Sequence, residues 1–90
     1  TETHDFGFSP GNSLVVTCED QSEIDFFWEK LGEGGHYDRC GWLRDRFGHS
    51  WQVVSKDLGQ WISDPQKGQQ AINALLKMDK LIISDLKNPA

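Results

Sequence analysis

The chain is short of cysteine, of basic residues and of long apolar stretches, and each shortage excludes a class of protein. Its two cysteines, Cys18 and Cys40, are too few for a disulfide scaffold and lack the C-x-x-C spacing of zinc and redox sites. We therefore expect both to be small buried hydrophobic residues. No apolar run reaches the length of a membrane span. These shortages predict a cytoplasmic protein without a membrane partner.

Acidic residues outnumber basic ones in this sequence. It has 9 Lys and Arg residues against 14 Asp and Glu, which gives a formal net charge of -5 at pH 7. A nucleic-acid site needs clustered Lys and Arg to neutralise the phosphates, whereas here the basic residues are scattered. We therefore expect no nucleic-acid partner. A domain of this size buries only about 60 to 65% of the surface of its unfolded chain, so a partner surface would add stability.

The first predicted element is a strand within residues 13–18, because apolar and β-branched residues dominate this stretch. Successive side chains along a strand point to opposite faces of a sheet. The two faces consist of Leu14, Val16 and Cys18 on one side and of Ser13, Val15 and Thr17 on the other. Before this strand, residues 1–11 contain Gly, Pro and Ser, and we expect an irregular amino-terminal segment there.

A helix is predicted to follow the strand. Asp20 and Glu23 form a capping-box pattern, in which each side chain satisfies an unpaired amide of the first helical turn. Apolar residues then recur with helical spacing along one stripe, at Ile24, Phe27, Trp28 and Leu31. Glycines at positions 32, 34 and 35 predict the end of the helix, because glycine tolerates the backbone conformation of a carboxy-terminal cap.

A hairpin is predicted between residues 40 and 54, where β-forming residues flank the turn-forming residues 45–48. Alternation separates Trp42 and Arg44 from Leu43 on the first strand of this hairpin. On the second strand it separates Ser50 and Gln52 from their apolar neighbours. Since one helix covers only one face of such a sheet, these polar and aromatic residues would lie on an open face.

The carboxy-terminal residues, 56–90, are predicted to be helical. Leu58, Trp61 and Ile62 have helical spacing, and Asp64 and Pro65 have the pattern of a cap and a first helical position. The apolar residues of this tail either pack across its own sheet or reach a neighbouring subunit. The sequence thus divides into an irregular segment at 1–11, a sheet module at 12–55 and a helical segment of the same domain at 56–90.

The hairpin pattern C-G-W-L-x-D-x-F-G-x-S-W-Q-V-V resembles the closing hairpin of the PhnB-like branch of the vicinal oxygen chelate superfamily, which includes glyoxalases and bleomycin-resistance proteins. Members of this branch often carry a demethylubiquinone methyltransferase name. Further segments similar to that family are Cys18-Glu19, Glu23-Ile24-Asp25, Trp28-Glu29-Lys30-Leu31, Asp64-Pro65 and Ala74-Leu75-Leu76-Lys77-Met78. The resemblance implies an α+β fold with a single βαβββ module and carboxy-terminal helices. A second module, supplied in a homodimer, would complete the sheet into a cup.

The resemblance also implies where a metal would bind. In the metal-using members, a His near the start of the first strand and a Glu on the last strand are ligands, and Ser13 and Gln52 occupy these positions here. A serine hydroxyl is a poor ligand for such a cation, and a neutral amide contributes no negative charge. We therefore predict that Ser13 and Gln52 form the polar wall of a pocket and name no cofactor, with a divalent metal at these residues as the lesser alternative.

Two functions of different classes remain open at this stage. The first is a protein that binds a small organic molecule in a cleft between paired modules, lined by Ser13, Val15, Trp42, Arg44, Ser50 and Gln52. The alternative is a metal-dependent glyoxalase-like or dioxygenase-like enzyme whose ligands are completed by a partner module. Trp42 would equally suit the core of a dimer. The chain as a whole is either a complete protein or the carboxy-terminal half of a two-module protein.

Chemistry of other kinds has little support in the sequence. The three histidines form no recognisable catalytic set and are predicted at the surface or at the rim of a cleft. A nucleotide-type cofactor site places its glycines after a strand and before a helix. Here Gly32, Gly34 and Gly35 follow a predicted helix, so we do not expect methyl transfer.

Overall fold

A computed structural model describes residues 5–9 and 13–89. The elements in chain order are β1 (Asp5–Ser9), β2 (Ser13–Cys18), α1 (Gln21–Gly32), β3 (His36–Tyr37), β4 (Trp42–Arg44), β5 (Ser50–Ser55), α2 (Leu58–Ile62), α3 (Gly68–Leu76) and α4 (Ile83–Lys87). This is the predicted α+β class.

The strands form one five-stranded mixed sheet in the order β1-β2-β5-β4-β3. β2 and β5 are parallel, and the other neighbouring pairs are antiparallel. Parallel neighbours require a long crossover, which α1 and the β3–β4 hairpin supply here. β2, α1 and β3 to β5 are the predicted βαβββ module. The expectation of irregular chain over residues 1–11 is wrong for Asp5–Ser9, because these residues pair along β2 as an edge strand.

Helix α1 begins as the sequence predicts. The Asp20 carboxylate accepts a hydrogen bond from the Glu23 amide at 3.0 Å. The Glu23 carboxylate in turn accepts from the Glu19 amide at 2.7 Å, one residue earlier than in the usual capping box. The helix ends at Gly32, and Gly34 adopts a positive φ of 77° that a residue with a side chain rarely reaches.

The hydrophobic core lies between α1 and one face of the sheet. Its fully buried residues are Val16, Cys18, Ile24, Leu43, Val53, Leu81 and Leu86. Leu81 and Leu86 come from the carboxy-terminal tail, so the tail packs on the same sheet face as α1. Of the two arrangements left open by the sequence, packing of the tail on its own domain is the one found.

Two hydrogen bonds fix the tail to α1. The Gln21 amide nitrogen donates to the Leu81 carbonyl at 2.9 Å, and the Gln21 amide oxygen accepts from the Ile83 amide at 2.7 Å. Lys80 adds an ion pair to Asp25 at 2.9 Å. These contacts hold the segment after α3 against α1.

The start of α3 differs from the sequence prediction. Asp64 does cap a turn, since its carboxylate accepts from the amides of Gln66 and Lys67 at 2.8 and 2.9 Å. The helix itself begins at Gly68, whose backbone lies against the Ile62 carbonyl so closely that a Cβ would meet it at 2.5 Å. A helix starting at Pro65 is therefore the wrong boundary. Within the described residues no helix is long and apolar enough to cross a membrane.

Candidate functional site

The sheet face opposite α1 carries all the residues predicted to line a cleft. Leu43, Val16 and Val53 point into the core, and the alternating neighbours of these residues therefore point to the other side. Those neighbours include the predicted residues Ser13, Val15, Trp42, Arg44, Ser50 and Gln52. We call this side of the sheet the open face.

Strand register arranges the open face in rows that run across the sheet. In the first row His36 pairs with Arg44, and Arg44 pairs with Ser50. Continuing the β2–β5 register by one residue places Ser13 beside Ser50. The next row is formed by Trp42, Gln52 and Val15. Val54 and Thr17 begin a third row. Successive rows are about 7 Å apart, and neighbouring strands are about 4.8 Å apart.

The rows differ in chemistry. The first has a guanidinium, an imidazole and two hydroxyls, the second has an indole, an amide and the aliphatic side chain of Val15, and the third has one valine and one threonine. Arg44 and His36 are exposed, whereas Trp42, Gln52 and Val15 are partly buried. A molecule lying along the first two rows would therefore meet a guanidinium at one end and an indole with an aliphatic side chain at the other.

Gln52 has a defined orientation on this face. Its side-chain nitrogen donates to the Cys40 carbonyl at 3.2 Å, across the β4–β5 pair. This leaves the side-chain oxygen as the atom that can accept a hydrogen bond from a ligand. Gln52 is therefore a polar group of fixed orientation on the open face.

The same side chains are the candidate metal ligands of the open face. Ser13 and Gln52 provide a hydroxyl and a neutral amide oxygen, which suit a divalent cation poorly. In the part of the chain that the structure describes, no group of three or more His, Cys, Asp or Glu side chains could hold a metal ion. The donor set of this chain does not fit a metal by itself.

A rigid turn holds the two strands that carry most of the site. The Asp45 carboxylate accepts hydrogen bonds from the amides of Phe47 and His49 and from the Trp51 indole, each at 2.9 Å. Gly48 completes the turn with a φ of 88° and donates to the Asp45 carbonyl at 2.9 Å. The predicted turn at residues 45–48 is confirmed, and its carboxylate is a structural group.

The pKa of Asp45 reflects this setting. Burial acts to raise the pKa of the carboxyl, since its side chain is 14% exposed. The hydrogen bonds from Trp51, His49 and Phe47, and the nearby His49 imidazole, stabilise the charged form more strongly and lower the pKa overall. Asp45 is therefore an ionised anchor for the turn.

The two cysteines have different surroundings. Cys18 is fully buried, as predicted, and burial raises the pKa of its thiol to about 12, with a contribution from the charges of Glu23 and Asp20. Cys40 is only partly buried, so the prediction of a buried residue is wrong there. It adopts a positive φ of 60° two residues before β4 begins, and its thiol lies 3.5 Å from the Leu75 carbonyl. The amides of Cys40 and Gly41 donate to the carbonyls of Met78 and Asp79 at 2.8 and 2.7 Å, so this bend lies against the tail.

One residue of the first row was not predicted to line the cleft. His36 was placed at the surface or rim, and it is exposed, but its backbone pairs with Arg44. Tyr37 beside it stacks on Trp28 of α1 with ring centroids 4.8 Å apart, which turns His36 to the open face. The sequence predicts a short strand within residues 36–39, and β3 is found at His36–Tyr37, but its register with Arg44 does not follow from the sequence pattern.

A comparison with models of protein families gives a match. The sequence model of a family described as 3-demethylubiquinone-9 3-methyltransferase matches residues 1–54. The match ends at Val54 and so includes every open-face residue named above. A search among curated proteins found no match.

Proposed function

Because the chain belongs to the 3-demethylubiquinone-9 3-methyltransferase family, a family of the glyoxalase/bleomycin-resistance superfamily, we propose that it binds a small organic molecule on the open face. The molecule lies in a cleft between this face and a second module, which another copy of the chain supplies in a homodimer. The narrower PhnB-like assignment belongs to the same proposal.

One observation carries the proposal. The residues that would line a cleft share a single sheet face, and the buried cluster that includes the tail lies on the other face. Ligand sites commonly combine apolar and aromatic walls with a few oriented polar groups. Trp42 and Val15 would supply such walls, and Gln52 and Arg44 would supply the polar groups.

The character of the open face also supports a second module. Trp42 and Val15 present partly buried apolar side chains in the middle of the sheet. Soluble monomers rarely leave a large contiguous apolar patch exposed. A symmetric pair of such faces is the commonest way to cover one.

Methyl transfer and metal-dependent chemistry are not part of the proposal. Gly34 and Gly35 connect α1 to β3, so they follow a helix and precede a strand. This order is the reverse of the glycine-rich turns that bind nucleotide cofactors. A metal-dependent enzyme would need ligands from the second module, because Ser13 and Gln52 do not form a metal site.

The binding proposal is tested by NMR with a fragment library. Ligands should shift the side-chain amide of Gln52 and the indole of Trp42. Gln52→Ala should weaken binding several-fold, while the control Gln60→Ala on the exposed surface of α2 should not. Shifts restricted to the tail, with the signals of Gln52 and Trp42 unchanged, would refute the site.

The pairing proposal is tested by light scattering and sedimentation at micromolar concentration. A dimer is expected, and Val15→Glu should convert it to a monomer because it places a charge in the apolar centre of the face. Leu76→Glu is the matched control, since Leu76 is 55% exposed on α3. A wild-type protein that remains a compact monomer would refute the pairing.

A further inference from the structure

The charge of the open face defines the class of ligand. On the basis of the proposed function above, we infer that the bound molecule is an organic oxyanion, with its acidic group over Arg44 and its apolar body over Trp42.

The first observation is the charge distribution. The chain as a whole carries a formal charge of -5, yet no residue of β2, β3, β4 or β5 is acidic. Their two basic residues, Arg44 and His36, pair across the β3–β4 ladder. The Cβ atoms of such partners lie about 5 Å apart when both side chains share a face. Arg44 therefore carries the one formal positive charge of these four strands, and none of them carries a negative charge.

The second observation is that the carboxylate nearest to Arg44 in the sequence, that of Asp45, binds other donors. Asp45 follows Arg44 directly, but its carboxylate accepts from the Trp51 indole and from two turn amides. Trp51 packs against the core on the α1 side of the sheet. Among residues 13–89 the Arg44 guanidinium makes no ion pair with a carboxylate. Asp5 in β1 pairs with Thr17, at the opposite edge of the sheet and away from the first row.

The third observation is the arrangement of hydrogen-bond donors and of the indole ring in these rows. A guanidinium presents a planar fork of donors that matches the two oxygens of a carboxylate or phosphate. The His36 imidazole and the Ser50 and Ser13 hydroxyls extend the same row as further donors. Trp42 lies two residues before Arg44 on the same strand, about 7 Å from it.

These features together favour a ligand that has an acidic group at one end and an apolar body at the other. An oxyanion over the first row would leave the remainder of the ligand over the indole of Trp42 and over Val15. A flat ring or a short aliphatic chain of one or two strand repeats fits this arrangement. A neutral molecule of the same shape would leave the Arg44 guanidinium without a counter-charge in the closed cleft.

The test uses the full chain and a panel of matched compounds. Each pair consists of an aromatic or short-chain carboxylic acid and its primary amide, and a second arm contains phosphate monoesters of the same bodies. Binding is measured by NMR titration of the Trp42 indole and the Gln52 side-chain amide. The acids should bind about tenfold more tightly than the amides, a difference of about 1.4 kcal/mol.

Charge-matched variants identify the residue responsible. Arg44→Gln should remove the preference for acids, and Arg44→Lys should retain part of it because the charge remains while the planar fork is lost. Arg46→Gln is the control, since Arg46 lies in the turn with its guanidinium 5.0 Å from the Phe47 ring. Arg44 is exposed, so these variants should fold normally. The relative strength of the carboxylate and phosphate arms distinguishes the two kinds of oxyanion.

The outcomes separate this inference from the proposed function. If acids and amides bind the open face equally, or if Arg44→Gln leaves the acid preference intact, the oxyanion inference is wrong and the binding site stands. If no compound of either arm shifts Trp42 or Gln52 at millimolar concentration, the proposed function and the inference are both overturned.

Discussion

Replacing Asp45 by Asn is the most informative test of how the turn supports the open face. The carboxylate receives three hydrogen bonds of 2.9 Å, from two amides of the turn and from the Trp51 indole. In the variant, the amide oxygen can still accept from the amides of Phe47 and His49. The amide nitrogen then faces the Trp51 N–H, so two donors meet.

The expected loss of stability follows from this contact between two hydrogen-bond donors. A hydrogen bond to a charged group contributes about 1.5 to 3 kcal/mol, so Asp45→Asn should destabilise the protein by about 2 kcal/mol. In a domain of this size that corresponds to a fall in Tm of roughly 8 to 16 °C. Urea unfolding followed by tryptophan fluorescence measures the change. Asp38→Asn is the matched control, because in the described part of the chain the Asp38 carboxylate makes no hydrogen bond or ion pair.

The pH dependence gives a second, independent readout. The pKa of Asp45 is lowered in the folded protein, so the stability gained from its ionised form is fully present above the unfolded pKa of about 3.9. That stability is lost as the pH falls through the folded pKa. The difference between wild type and Asp45→Asn should therefore shrink below about pH 4. Equal stability of Asp45→Asn and Asp38→Asn at pH 7 would refute the role assigned to the turn.

Three further changes test the packing of the tail and the core. Gly41→Ala should lower the free energy of unfolding by about 2 kcal/mol or more, since the φ of Gly41 is 80° and a Cβ would lie 2.6 Å from Leu81. The control Gly59→Ala, where a Cβ meets nothing within 4 Å, should be neutral or slightly stabilising. Thermal melts measure both changes. Leu81→Ala should cost about 2 to 5 kcal/mol in urea unfolding because the side chain is fully buried, whereas Leu76→Ala on the surface should change stability by less than about 0.5 kcal/mol. Cys18 should react with a thiol reagent only after denaturant is added, because its pKa of about 12 leaves almost no thiolate at neutral pH; rapid reaction in the native protein would contradict its burial.

Local features of the fold were predictable from short stretches of sequence. The cap at Asp20, the apolar stripe of α1 and the turn at Asp45 depend on residues within a few positions of one another. Strand alternation also identified the face to which Gln52 and Trp42 belong. These predictions succeeded because their causes are local, namely helical periodicity, strand alternation and side-chain hydrogen bonds to nearby amides.

Other features depended on distant partners. Asp5–Ser9 forms a strand only because β2 offers an edge to which it can pair, and its own glycine and serine content indicated irregular chain. The first helical residue after Asp64 was misplaced because the chain first makes a separate turn there. His36 joined the open face through a two-residue strand that is too short to leave a periodic signal.

The sequence by itself determined the module: the order of strand, helix and hairpin, the cap of the helix, and the separation of polar from apolar side chains on each strand. Only the tertiary structure decided which face the tail would cover and which side chains would stand in one row. Leu81 and Leu86 are buried beside α1, and this leaves Arg44, Trp42 and Gln52 together on the opposite side. The physical reason is that alternation fixes the face of a residue within its own strand, whereas register between strands and the docking of a distant tail depend on contacts between residues far apart in sequence.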